Sequence, residues 1–334
     1  MEEANYVMDE AQSRHRHSVP AGIIAIHLPT YSKVAVFSAP RASAIHRFSE
    51  PDAEGQVAFI ESYLKAGDAV TGHSLRVIKL MDRTEIELFH RPFDALWSGI
   101  TGQSLALAPV GGRVALVGKL AAVKQGNRSF DVGPLEIWDI KKGTGLETGI
   151  IAVDKGLSWF PDGKRLAYVE LISKDEVIHI PSDSDDVEVD FLKWDKVPAV
   201  QVLETDTGKK TFIHVGFYPK VSANSQTVLV RDLNNGYTLV DVATRRSKPV
   251  QLPGDWQGPI ALLDGNLILY RGLPTEGAAP RYVLRGSMGT NRWVPMGSVK
   301  LADLYTGKFQ TIVPYVCYDA RVRFGSGSPQ GQEQ

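Results

Sequence analysis

Cysteine is almost absent from this chain. Cys317 stands alone, so no intrachain disulfide can staple the fold, and stability must come from packing. No run approaches the about 18 consecutive apolar residues of a membrane-spanning helix. Neither sign of charge dominates: 37 basic residues stand against 38 acidic ones, so no global field draws the chain to nucleic acid or into a membrane. The Walker-type phosphate loop, the Gly-x-Gly-x-x-Gly fingerprint and paired zinc-binding cysteines are all missing. So is the Gly-x-Ser-x-Gly of serine hydrolases. The nearest approach, Gly72-His73-Ser74-Leu75-Arg76, lacks the second glycine and opens a strand rather than a helix. The histidines His27, His46, His73, His90, His179 and His214 are scattered singly and read as packing or surface residues. Residues 1–19 have no apolar core of a signal peptide, which predicts a cytoplasmic protein, or a periplasmic one whose signal peptide has been removed.

What is present is repetition. Apolar residues make up 43% of the chain, enough for a sizeable core. The stretch Ser158-Trp159-Phe160-Pro161-Asp162-Gly163-Lys164-Arg165-Leu166-Ala167-Tyr168-Val169-Glu170 reads as strand, tight turn, strand. Pro presets φ, Asp bonds the backbone ahead of it, and Gly accepts positive φ. Pro109 to Gly118 aligns with Pro161 to Glu170 without a gap, and weaker copies follow Phe48, Val221 and Ile260. Between the copies lie hairpins with period-two alternation, each expected to bury one face. They begin near Ile24, Leu75, Leu135, Val200, Tyr237 and Val299, and the last turns through Asp303-Leu304-Tyr305-Thr306-Gly307-Lys308, an Asp-x-x-Thr-Gly-Lys form with Gly in the left-handed position. One copy plus one hairpin makes a four-stranded antiparallel unit, a to d. A unit of about 40–60 residues repeated in this way predicts a β-propeller. The chain opens on a c–d hairpin and ends on an a-like strand at Tyr315–Phe324. The expected fold is therefore all-β: six four-stranded blades over residues 21–324, closed by combining N- and C-terminal strands in one blade. Residues 1–20 read as a flexible arm whose Tyr6-Val7-Met8 patch can add a strand or dock, and 325–334 as a disordered tail.

The Phe160–Tyr168 run resembles the PD40 (WD40-like) repeat of the TolB-like six-bladed β-propeller family. That resemblance implies a propeller and a role in binding a protein or peptide partner. In such a unit the a–b and c–d turns share one face and the b–c connections the other. Here the a–b and c–d turns are short, whereas the b–c connections at 62–73, 118–133, 171–198 and 271–297 are long, so partner binding is expected on their face. Arg281, Tyr282, Arg285, Arg292 and Trp293 supply the side chains of interface anchors. Asp183, Asp185, Asp186 and Glu188 could offer oxygens to Ca²⁺, although they lack EF-hand spacing, and no resident cofactor is expected. The alternative is a divalent-cation-dependent small-molecule hydrolase or lactonase with its site at the central channel. The six tryptophans, Trp97, Trp138, Trp159, Trp194, Trp256 and Trp293, are expected mainly to pack between units.

Overall fold

The structure is a computed structural model that describes residues 2–7, 22–27, 32–38, 43–65, 69–92, 104–118, 120–126, 128–178, 194–263, 266–273, 297–316 and 320–321. In chain order, β1 (Glu2–Val7), β2 (Gly22–His27) and β3 (Ser32–Ser38) begin sheet I. Sheet II comprises β4 (Ser43–Phe48), β5 (Gln56–Lys65), β6 (Ala69–Lys79) and β7 (Glu85–Pro92). Sheet III comprises β8 (Leu105–Leu107), β9 (Arg113–Val117), β11 (Arg128–Asp139) and β12 (Thr144–Val153), with β10 (Ala121–Gln125) folded back on β11. Sheet IV comprises β13 (Ser158–Trp159), β14 (Arg165–Ser173), β15 (Lys196–Glu204) and β16 (Lys210–Val215), and a short helix α1 (Lys174–Ile178) follows β14. One residue pair, Ala152↔Glu170, joins β12 to β14 and makes sheets III and IV a single nine-stranded sheet. Sheet V comprises β17 (Phe217–Val221), β18 (Thr227–Arg231), β19 (Tyr237–Asp241) and β20 (Ser247–Pro249). Sheet VI comprises β21 (Trp256–Leu262), β22 (Leu267–Gly272), β23 (Gly297–Asp303) and β24 (Phe309–Val316). Finally β25 (Ala320–Arg321) returns to sheet I and pairs with β1, Ala4 opposite Arg321 and Asn5 opposite Ala320. All of these pairings are antiparallel. Each of the eleven hairpins read from the sequence is found.

Two expectations need correction. Glu2–Val7 is not an arm: it pairs with β2 from Glu2↔His27 to Val7↔Gly22, the strand addition that the Tyr6-Val7 patch allows. Nor do the hairpins between the copies bury one face each: Ala199, Val200, Gln201, Val202 and Leu203 of β15 are all buried. Leu166, Ala167, Tyr168 and Val169 of β14 are all fully buried, as are Val228, Leu229 and Val230 of β18. Both faces are covered because successive sheets stack against one another, so the second strand of each unit lies between two layers. Each fully buried Val or Leu there contributes about 1.5–3 kcal/mol. Alternation survives where the layer ends: β12 keeps Leu146 and Ile151 exposed beside buried Ile150 and Ala152.

A repeated hydrogen bond fixes the turns. The N–H of Leu80, Ile140, Thr205, Val242 and Leu304 donates to the carbonyl of Gly55, Gly112, Lys164, Gln226 and Asn266, each at 2.9 Å. In every case the residue at the c–d turn donates to the a–b turn of its own sheet. Both kinds of turn therefore lie at one end of the sheets, as the strand order requires. Side-chain carboxylates hold the a–b turns: Asp162 Oδ1 accepts from the N–H of Lys164 and Arg165, and Asp52 Oδ1 from Glu54 and Gln56. Where glycine is missing another residue takes its conformation. Ser225 (φ 64°) and Arg245 (φ 59°) stand at turns where Gly163 (φ 65°) and Gly208 (φ 72°) stand elsewhere.

Candidate functional site

The opposite end of the sheets carries the b–c connections, and two of them are more ordered than loops. At 62–73, β5 and β6 continue as a hairpin with Leu64 opposite Val70. At 118–133, β10 doubles back on β11 with Gln125 opposite Arg128. Gly126 (φ 57°) makes that turn, and a Cβ there would stand 2.9 Å from Trp194 Nε1. The turn thus delivers Arg128 and Phe130 to a row of aromatics running from sheet III to sheet V.

The row is Trp194, Phe130, Phe217 and Tyr218. Trp194 meets Phe130 edge-on at 5.7 Å, Phe130 stacks on Phe217 at 5.8 Å, and Phe217 lies 6.3 Å from Tyr218. Cations sit over its two ends. Arg128 Cζ lies 5.5 Å from the Trp194 ring, while Lys155 Nζ and Arg231 Cζ lie 6.0 and 5.8 Å from the Tyr218 ring. These distances fall within the range at which a ring face attracts a cation. Arg128, Phe130, Lys155, Phe217, Tyr218 and Arg231 line a cavity of about 290 Å³. No carboxylate lines it, and none of its three cations makes an ion pair among the described residues. The Arg231 side chain donates to the neutral Asn235 side chain, Nη2 to Oδ1 at 2.7 Å. The acidic neighbours in sequence do not line the cavity: Asp232 Oδ1 accepts from the N–H of Asn234 and Gly236, and Asp154 is buried.

The residues expected to bind a partner, Arg281, Tyr282, Arg285, Arg292 and Trp293, lie outside the described residues, as do the Ca²⁺ candidates Asp183, Asp185, Asp186 and Glu188. Among the described residues no three His, Cys, Asp or Glu side chains gather as a metal site. The sequence reading missed Arg128, Lys155, Tyr218 and Arg231. Their signal was local: Lys155-Gly156 and Gly216-Phe217-Tyr218 are links between sheets that put cations and aromatics beside glycine.

Other polar groups serve packing. His73 Nδ1 pairs with Ser62 Oγ at 2.6 Å, His90 Nδ1 with Ser74 Oγ at 3.0 Å, and His214 Nδ1 with the Val215 carbonyl at 2.7 Å. Burial pulls His214 below the usual imidazole range. Three tryptophans pack between or within sheets, as expected. Trp138 packs on Phe89 at 5.0 Å, Trp159 Nε1 donates to the Ala106 carbonyl at 3.0 Å, and Trp256 stacks on Tyr270 and meets Tyr237 edge-on. Trp194 instead belongs to the cavity row.

The ion pair of greatest sequence separation among the described residues joins Lys220 Nζ of β17 to Glu50 Oε1, which follows β4, at 2.8 Å. It brings β17 of sheet V to the turn that follows β4 in sheet II.

No family model matches the sequence, and no curated protein matches it. Solved structures do resemble it. A TolB of Agrobacterium tumefaciens superposes with a TM-score of 0.49 at 13% identity, over 88% of this chain and 89% of that one. A prolyl endopeptidase gives 0.46 at 14% identity over 82% of this chain, which spans only 36% of the enzyme. An oligogalacturonate lyase in complex with manganese gives 0.46 at 12% identity, over 93% of this chain and 73% of that one. No helix among the described residues is long and apolar enough to cross a membrane.

Proposed function

We propose that the chain is a six-bladed, TolB-like β-propeller that works as a non-catalytic scaffold. It binds an extended segment of a protein partner on the face of the b–c connections. Sheets I to VI are the blades, and β25 on β1 closes the ring. The Glu50–Lys220 pair supports the ring: in a circle of six, sheets II and V stand opposite, and β17 meets the turn after β4 across the axis. The observation that carries the function is the difference between the two ends. One end is stitched by short turns whose backbone groups are paired. The other presents an aromatic row topped by cations that have no acidic partner among the described residues, and Arg and Tyr are the side chains from which interface anchors are made.

Selection from a random peptide library, followed by hydrogen exchange of the complex, tests this. The expected protection covers the β10–β11 turn, the links at 154–157 and 216–219, and the turn at 231–236. Binders that protect only the a–b and c–d turns, or no binders at all, would contradict it.

A further inference from the structure

We infer that the cavity beside Tyr218 is a carboxylate subsite, which takes an aspartate or glutamate side chain of an extended partner peptide. The inference rests on the partner-binding reading and specifies the chemistry of what is bound.

Three observations converge on it. The first is charge. Arg128, Lys155 and Arg231 border one cavity and none has an acidic partner among the described residues. Cations held near one another repel, so the arrangement is completed by an anion. The second is backbone strain. Tyr218 adopts φ 52°, a left-handed conformation that is an outlier for a bulky side chain and costs on the order of 1–3 kcal/mol. It is held there by neighbours that leave no freedom. Its N–H donates to the Lys155 carbonyl at 2.8 Å. Gly156 (φ 106°) brings the chain so close that a Cβ would stand 3.0 Å from Tyr218 Cα. At Gly216 (φ 142°) a Cβ would stand 2.3 Å from the Arg231 carbonyl oxygen. The consequence is a ring turned to face both Lys155 and Arg231. Strain held by its surroundings in this way clusters at ligand-binding positions. The third is size. At about 290 Å³ the cavity lies just below the about 300–1,000 Å³ typical of small-molecule sites. That is room for an acidic side chain together with the backbone that carries it. A carboxylate at the ring's edge that reaches the Arg231 guanidinium or the Lys155 ammonium receives charge-assisted hydrogen bonds from it.

The test is binding of a capped oligoglutamate peptide, with a capped oligoglutamine peptide and inorganic phosphate as comparators, followed by fluorescence anisotropy. Oligoglutamate is expected to bind and oligoglutamine not to bind, with affinity falling as salt rises. Arg231→Ala and Lys155→Gln are each expected to weaken binding about tenfold, the loss of one hydrogen bond to a charged group. Tyr218→Phe keeps the ring face and is expected to retain binding, whereas Tyr218→Leu loses it. Each variant's melting midpoint, measured alongside, separates lost binding from lost folding. Equal binding of oligoglutamine overturns the proposal, and so does displacement by equimolar phosphate, which would mark an unselective anion cleft. If library-selected peptides bind this face and oligoglutamate does not, the carboxylate subsite fails and the scaffold reading stands. If no peptide binds, both fail.

Discussion

Gly163→Ala is expected to destabilise the protein by about 2–5 kcal/mol, while Gly111→Ala, at the aligned position of the preceding repeat, costs only about 1–2 kcal/mol. Both glycines have positive φ, 65° and 89°, and a Cβ in that conformation costs roughly 1–2 kcal/mol at either site. Their surroundings differ. Nothing lies within 4 Å of a Cβ at Gly111, whereas one at Gly163 would stand 2.2 Å from the Val110 carbonyl oxygen. That oxygen belongs to the backbone of the neighbouring turn and cannot swing aside, so the two turns must separate, an overpacking penalty of roughly 1–3 kcal/mol more. Parallel urea titrations of the two variants measure the difference. Equal costs would mean that the turns of sheets III and IV are not in contact.

Arg91→Met is expected to cost about 3–5 kcal/mol. The Glu136 carboxylate is 2% exposed and lies between sheets II and III. Arg91 holds it with two bonds of 2.8 and 2.9 Å, and Trp138 Nε1 donates to it at 3.0 Å. The guanidinium also lies 4.3 Å from the Phe89 ring. Methionine keeps most of the stem packed on that ring and removes the charge. A buried carboxylate is then left without its cation, which is the costly way to break such a pair. Glu136→Gln added to Arg91→Met removes the stranded charge while leaving an oxygen for Trp138. The double variant is expected to recover more than half of the loss. A double variant no more stable than Arg91→Met would show that the side chain's packing, rather than its charge, holds the two sheets.

The hairpins were legible because they rest on local chemistry. Asp162 and Gly163 do at their turn what their residue types imply, and period-two alternation marks the strands. Departures in the turn code hid little: Ser225 has no glycine-like freedom, yet Ser222 and Asn224 hold the turn by side-chain hydrogen bonds. The burial of both faces of β14 was not legible, since it depends on how the neighbouring sheets stack on it. The cavity was not legible for the same reason. Arg128 belongs to sheet III, Arg231 to sheet V and Lys155 to the link after β12, and only folding gathers them with Tyr218. The anchors proposed from composition, Arg281 to Trp293, share the Arg-and-aromatic chemistry of the cavity, but at other positions in the chain.

The ring itself is tested most directly by zero-length carbodiimide coupling at low protein concentration, followed by peptide mass spectrometry. The reagent joins a carboxylate to an amine only when they touch. Lys210 and Glu170, 3.1 Å apart within sheet IV, serve as the local control. The cross-linked products the account predicts include Lys210 with Glu170 and Lys220 with Glu50, the second disappearing in Lys220→Arg. Coupling of Lys210 to Glu170 without coupling of Lys220 to Glu50 would mean that sheets II and V do not meet, and would contradict the closed ring.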